Sequence, residues 1–264
     1  QAFQALLQDA PNAQAALDNL GATFWLLAEV HAWKGEDPEP FLNRAQAALE
    51  QALRGNPQDV VALTNLAVCA MSRARHKLWH GQSADAELEV AENFLQKVQA
   101  FNPQEPTLAT NQLRLSWLKM QQAQQAGAKT GALFEEGQRW EAAIHDLDSN
   151  PEALGLAAGI RLVHARQTPK GIRQRLFQQA AKLLGEALRQ APREPELLAF
   201  AAEFALCSRR TYLPHGLSLP ELERRCLQGS PIHRAMAAWL TGTAANPPLE
   251  TLAPGLAREL APCR

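Results

Sequence analysis

Apolar residues recur at intervals of three and four along almost the whole chain, with Ala, Leu, Gln and Glu abundant between them. That is the 3.6-residue period of helices, and no alternating strand pattern competes with it. Prolines in short turns ("DAP", "GNP", "FNP", "SNP", "QAP") punctuate the pattern. Pro11, Pro57, Pro103, Pro151 and Pro192 stand 46, 46, 48 and 41 residues apart. A sustained period in this range marks a repeat array. Each unit is predicted to be two antiparallel helices, with Pro starting the first, where its missing N–H costs nothing. One pair cannot bury its apolar face alone, whereas stacked pairs can, and stacking produces a concave and a convex side.

Leu17, Leu20, Gly21 and Phe24 follow a large–large–small–aromatic order, and Leu63, Leu66, Ala67 and Ala70 repeat it. Ala45, Leu49 and Ala52 precede Pro57 as Ala91, Leu95 and Val98 precede Pro103, and Ala180, Leu184 and Ala187 precede Pro192. These positions resemble the two helices of a tetratricopeptide repeat. The third unit fits only after a one-residue slip at Trp140, Ile144 and Leu147, and the first helix of the fourth fits poorly. The resemblance implies an all-α, right-handed α-solenoid of about five helix pairs over residues 11–208. Residues 1–10 are expected to end a preceding helix or form an N-terminal cap. Residues 209–264 are expected to hold an irregular segment, a further second helix at Ala235 and Trp239, and a closing helical cap.

The units are longer than the usual ~34 residues, and the excess falls between the two helices. Trp33 and Trp79, and Gly35 and Gly81, are each one period apart, and Gly127 continues the series. The insertion is therefore read as a first helix lengthened by about two turns and stopped by Gly. With its "GEDPEPFLNRA" turn at 35–45, the array resembles those that follow the catalytic domain of many bacterial serine/threonine kinases. The resemblance implies a sensory or docking region, not the kinase itself, since no Gly-rich loop, "HRD" or "DFG" is present.

Asn19, Asn65 and Asn111 are spaced by one period at the same place in the first helix, which by the family's geometry faces the concave side. Asn is a mediocre helix former, so its use in register invites explanation. A ladder of side-chain amides, with Thr64, Thr110 and Arg114 beside it, could pair with the backbone of an extended peptide. The same amides could instead bond neighbouring helices and set the stacking angle. Gly159 and Phe200 end the ladder in later units. Trp25, Met71 and Trp117 share the period and are read as core.

A net charge of −1 leaves no global field for nucleic acid or an anionic membrane. Charge is nevertheless uneven: 161–193 holds eight bases, among them Arg161, Arg166, Arg173 and Arg175, against Glu186 alone. That run is either a stripe for an anionic partner or a solvated face. No apolar stretch is long enough to span a bilayer. The four cysteines fit no zinc spacing, and Cys207 and Cys226, flanking an irregular segment, are the candidate disulfide. His76 and His80 lack a third ligand and read as a surface pair, and "GAKTGAL" lacks the leading glycine of a phosphate loop.

The expected function is therefore binding of a protein or peptide, without cofactor, metal or catalysis, and with a homodimer allowed. A constitutive scaffold and a small-ligand or carbohydrate-binding domain are the alternatives. The receptor resemblance and the candidate bridge favour the periplasm, with the cytoplasm as the other choice.

Overall fold

The computed structural model describes residues 13–208, 211–243 and 248–261. The N-terminal cap expected over 1–10 lies outside them. Every regular element in the described residues is helical. The first pair is α1 (Gln14–Lys34) and α2 (Glu39–Gly55), the second α3 (Val60–Trp79) and α4 (Asp85–Phe101), the third α5 (Leu108–Gln125) and α6 (Gly131–Ala142). A 3₁₀ turn (Leu147–Ser149) leads to α7 (Pro151–Ala165) and α8 (Lys170–Gln190), then α9 (Pro195–Cys207) and α10 (Leu219–Leu227). α11 (Pro231–Thr241), α12 (Leu249–Leu252) and α13 (Pro254–Leu260) follow. No described helix is long and apolar enough to cross a membrane.

The first helices of the early pairs are long, at 21, 20 and 18 residues. Each ends at a glycine in the left-handed region: Gly35 (φ 77°), Gly81 (φ 69°) and Gly127 (φ 70°). The residue beyond each glycine donates its N–H back to the last turn, Glu36 to His31 O, Gln82 to Lys77 O and Ala128 to Ala123 O. This Schellman closure needs the positive φ that only Gly adopts without cost. The recurring insertion is thus helix, as the glycine series predicts.

Helix starts differ from expectation. Pro57, Pro103 and Pro192 stand in the turns ahead of α3, α5 and α9, while Pro151 and Pro195 occupy first helical positions. α3 is started instead by Asp59, whose Oδ1 accepts from Val61 N (2.9 Å) and Ala62 N (3.1 Å). The other oxygen of Asp59 accepts from the Gln14 amide. Asp18, nearby, has a buried oxygen without a hydrogen-bond partner. Burial first, and then the charge of Asp59, raise its carboxyl to about 6. A carboxyl raised on folding contributes stability that is complete below about pH 4 and is lost as pH rises through about 6. The partly exposed site is screened, so Asp18→Asn is expected to stabilise the protein by only about 1 kcal/mol at pH 7. The gap between variant and wild type should close by about pH 4. Urea unfolding at both pH values checks this, and a gap independent of pH would refute it.

α1, α3, α5, α7, α9 and α11 form one packed row, each against the next, with the second helices flanking them. α7 lies mid-row and is buried continuously from Ala153 to Val163. A helix covered on all sides is apolar all round, which is why its sequence matches the amphipathic repeat pattern poorly. α10 takes the second-helix place beside α9. α11, expected as a second helix, continues the row of first helices instead.

The row does not end freely. α11 packs back on α1, and α13 packs on α3. Trp33 and Trp79, at the lengthened ends, meet edge-on at 4.8 Å, and His233 of α11 stacks on Trp33, also at 4.8 Å. Burial holds His233 below the ordinary histidine value, and its Nε2 lies 2.7 Å from Pro195 O. Leu249, Leu252, Leu256 and Leu260 bury under this closure. Each buried leucine contributes roughly 2 kcal/mol. The insertions that lengthen the first helices are the platform on which the C-terminal helices dock.

Candidate functional site

A cavity of about 1770 Å³ opens on the side of the row formed by α1, α3 and α5. Its far wall is made by the starts of α7, α9 and α11. Small-molecule pockets are typically about 300–1,000 Å³, so this one has room for a chain segment. One wall is apolar, with Trp25, Leu26, Val30, Val68, Leu118 and Trp140. Leu26 and Val30 are 56% and 50% exposed, unusual for large side chains on a wall so well supported.

Thr64, Asn65, Thr110, Asn111 and Arg114 all line the cavity. Thr110 and Asn111 are only 7% and 6% exposed. The Asn65 and Asn111 amides and the Thr110 hydroxyl make no hydrogen bond among the described residues, and the Thr64 hydroxyl is buried without one. Bonds from these amides to neighbouring helices, the stacking role the sequence left open, are not made. Asn19 differs. It is exposed and does not line the cavity; among the described residues its side chain makes no hydrogen bond, while its backbone carbonyl accepts from Thr23 Oγ1 at 2.7 Å. The ladder therefore has two rungs at the cavity. It ends at Gly159 because a side chain there would meet Trp117 and Phe200, whose rings pack edge-on at 5.0 Å. Met71 and Trp117 are core, but Trp25 faces the cavity and donates to Ser72 Oγ (2.9 Å).

Charged side chains tie the cavity walls together. Arg75 of α3 pairs with Glu29 of α1 and, at 3.1 Å, with Glu196 of α9. Arg114 of α5 pairs with the same Glu196 at 2.7 Å and with Glu152 of α7 at 3.0 Å. The Arg75 guanidinium also lies 5.3 Å and 5.0 Å from the Trp33 and Trp79 ring centroids, a favourable cation–π geometry. Burial opposes charge on Glu196, but Arg114 and Arg75 outweigh it and hold the carboxyl below the ordinary value. Burial likewise opposes charge on both arginines, and their carboxylate partners again prevail. Glu194 is the reverse case: burial, then the charges of Glu196 and Glu152, push it up.

Glu29, Ser72, Arg75, Glu196 and Trp140 were not read from sequence as site residues, Trp140 being taken there only as a repeat position. A signal existed for some of them. Glu29 and Arg75 are opposite charges one period apart, and Glu152 and Glu196 each follow a helix-starting proline.

The basic run does not form one free face. Arg161 is buried and held by Glu141 (2.8 and 3.0 Å) and Ala157 O (2.6 Å). Arg166 pairs with Glu203 of α9 and reaches Gln124. Arg173 donates to Ala165 O (3.1 Å) and Thr168 O (2.9 Å) at the end of α7, leaving Arg175 exposed on α8. The partners Glu141 and Glu203 lie outside the window in which the charges were counted.

The Cys207–Cys226 bridge is also corrected. Cys226 is a free thiol, fully buried on α10, and burial pushes it up to about 12. Cys207 is disulfide-bonded, to a partner outside the described residues. The His76 and His80 rings lie 4.3 Å apart, tilted by 46°, and among the described residues no three His, Cys, Asp or Glu side chains gather to hold a metal. Burial, then the charge of His80, lower His76 to about 4.

The chain matches no protein-family model and no curated protein.

Proposed function

We propose that the chain is a tetratricopeptide-like solenoid of lengthened pairs that binds an extended segment of another protein in the cavity beside α1, α3 and α5. The observation that carries this reading is the pair Asn65 and Asn111, amides in equivalent places on successive first helices, at the cavity and without partners among the described residues. Such groups leave hydrogen-bonding capacity for a ligand backbone, and the apolar wall beside them supplies side-chain contacts. The arginines are engaged by carboxylates, which favours binding over chemistry.

The turn at 35–45 supports a place in a receptor-type bacterial serine/threonine kinase, with the chain as its sensory or docking part. The disulfide at Cys207 supports an oxidising compartment, the periplasm in that context.

The test is selection of a random nonapeptide library on the purified chain, repeated with Asn65→Ala/Asn111→Ala. Each amide pairing with a peptide backbone contributes about 1 kcal/mol, so the double variant should bind selected peptides roughly 30-fold more weakly. Its melting temperature should stay unchanged. Equal affinity for both proteins would place binding elsewhere.

A further inference from the structure

The lining of the cavity carries seven carboxylates against four lysines and arginines. Part of this imbalance is internal to the structure: Arg75 and Arg114 hold Glu29, Glu152 and Glu196, two cations among three anions. The side chain of Glu194, two residues before Glu196, makes no ion pair and no hydrogen bond among the described residues, and only its backbone is bonded, to Ala191 and Leu198. It precedes α9 as the N-cap residue, yet its side chain caps nothing. The opposing charges on the lining are Lys34, at the far end of α1 beside Glu36, and Arg234, whose Nη1 donates to Gly229 O at 2.8 Å.

A second observation concerns an unpartnered polar group on the same lining. Asn111 is more than nine-tenths buried, its side-chain amide has no hydrogen-bond partner among the described residues, and it lies one helical turn before Arg114 on α5. Arg114 in turn contacts Glu196. The amide and the Glu194 carboxylate line the same cavity, with Leu118 and Trp140, and Arg114 acts electrostatically on Glu194 together with Glu196 and Glu152.

We infer that the segment taken by this cavity is basic, with a lysine or arginine side chain directed at Glu194 while its backbone pairs with Asn111. This inference rests on the peptide-binding reading above. The chemistry is charge complementarity at an exposed carboxylate on the cavity lining, where like charges nearby strengthen the pull on a cation. Burial first, and then the charges of Glu196 and Glu152, raise the Glu194 carboxyl, and an ammonium or guanidinium would offset the charge part of that shift. An acidic segment would add to the same crowding and is disfavoured.

Three nonapeptide mixtures, randomised except for a central Lys, norleucine or Glu, separate the possibilities when their retention on the immobilised chain is measured. The wild-type chain should retain the Lys mixture about tenfold better than the norleucine mixture, as expected for a charge-assisted contact, and better still than the Glu mixture. Glu194→Gln should remove the preference for Lys over norleucine. Glu89→Gln, the same charge change at an exposed position of α4, should not. Neither substitution removes a hydrogen bond or ion pair, so folding is unaffected. Retention without a Lys preference, or a preference that survives Glu194→Gln, overturns the basic selectivity and leaves the peptide-binding reading standing. Retention of no mixture above the level of Asn65→Ala/Asn111→Ala overturns both.

Discussion

Glu196→Ala is expected to lower stability by about 3 kcal/mol, enough to reduce the melting temperature of a chain this size by roughly 10 °C. Glu196 is shared between the buried Arg75 and the partly buried Arg114, and links residues 121 and 82 positions away. Its removal leaves each guanidinium with one carboxylate: Glu29 for Arg75 and the half-exposed Glu152 for Arg114. A buried ion pair is weak evidence of net stabilisation, but breaking one strands charge in a site built to neutralise it. The remaining partners keep the loss at the lower end of the usual range. Glu152→Ala is the control, because the side chain is 49% exposed and the pair is screened. It should cost under about 1 kcal/mol. Urea unfolding with an unchanged slope distinguishes the two. A loss for Glu196→Ala no greater than for Glu152→Ala would mean the two arginines are not held from α9 in solution.

The second large effect is expected at Gly255→Val. A side-chain carbon there would lie 2.0 Å from Leu78 O and 2.4 Å from Gly81 N, both backbone atoms of the turn that ends α3. Flexible side chains can yield to such a contact, but this turn is fixed by its own hydrogen bonds to Lys77 and Leu78. α13 must therefore leave α3, exposing Leu256 and Leu260 at a cost of about 3 kcal/mol. Hydrogen exchange should show lost protection in α12, α13 and the Gly81 turn, with α4 and α8 unchanged. Gly131→Ala, where nothing lies within 4 Å, should be silent. Unchanged protection of α13 in Gly255→Val would refute the closure.

These two sites mark the limit of what the sequence conveys. Helix content, the period, the glycine stops and the cavity positions of Asn65 and Asn111 all follow from spacing, because each depends on neighbours one helix or one unit away. The closure depends on His233 meeting Trp33 and Gly255 meeting Leu78, contacts between opposite ends of the chain that no periodic pattern encodes. The arginines mislead for the same reason. Arg161 and Arg166 look unpaired within their own stretch, and their carboxylates come from α6 and α9. Asn19 shares the period of its counterparts but not their place, since it lies on the first helix of the row, with no described helix before it to build the cavity wall. The cysteine pair fails because Cys207 is disulfide-bonded elsewhere, which leaves Cys226 a free thiol buried on α10.

The central claim is that a ligand segment lies against α3 and α5 in the cavity. The most direct measurement gives a selected nonapeptide one benzoylphenylalanine residue, irradiates the complex and locates the adducts by mass spectrometry. The account predicts adducts within 64–72 and 111–118, competed away by unlabelled peptide and absent from Asn65→Ala/Asn111→Ala. Adducts concentrated on the outer helices α2 and α4 would contradict it.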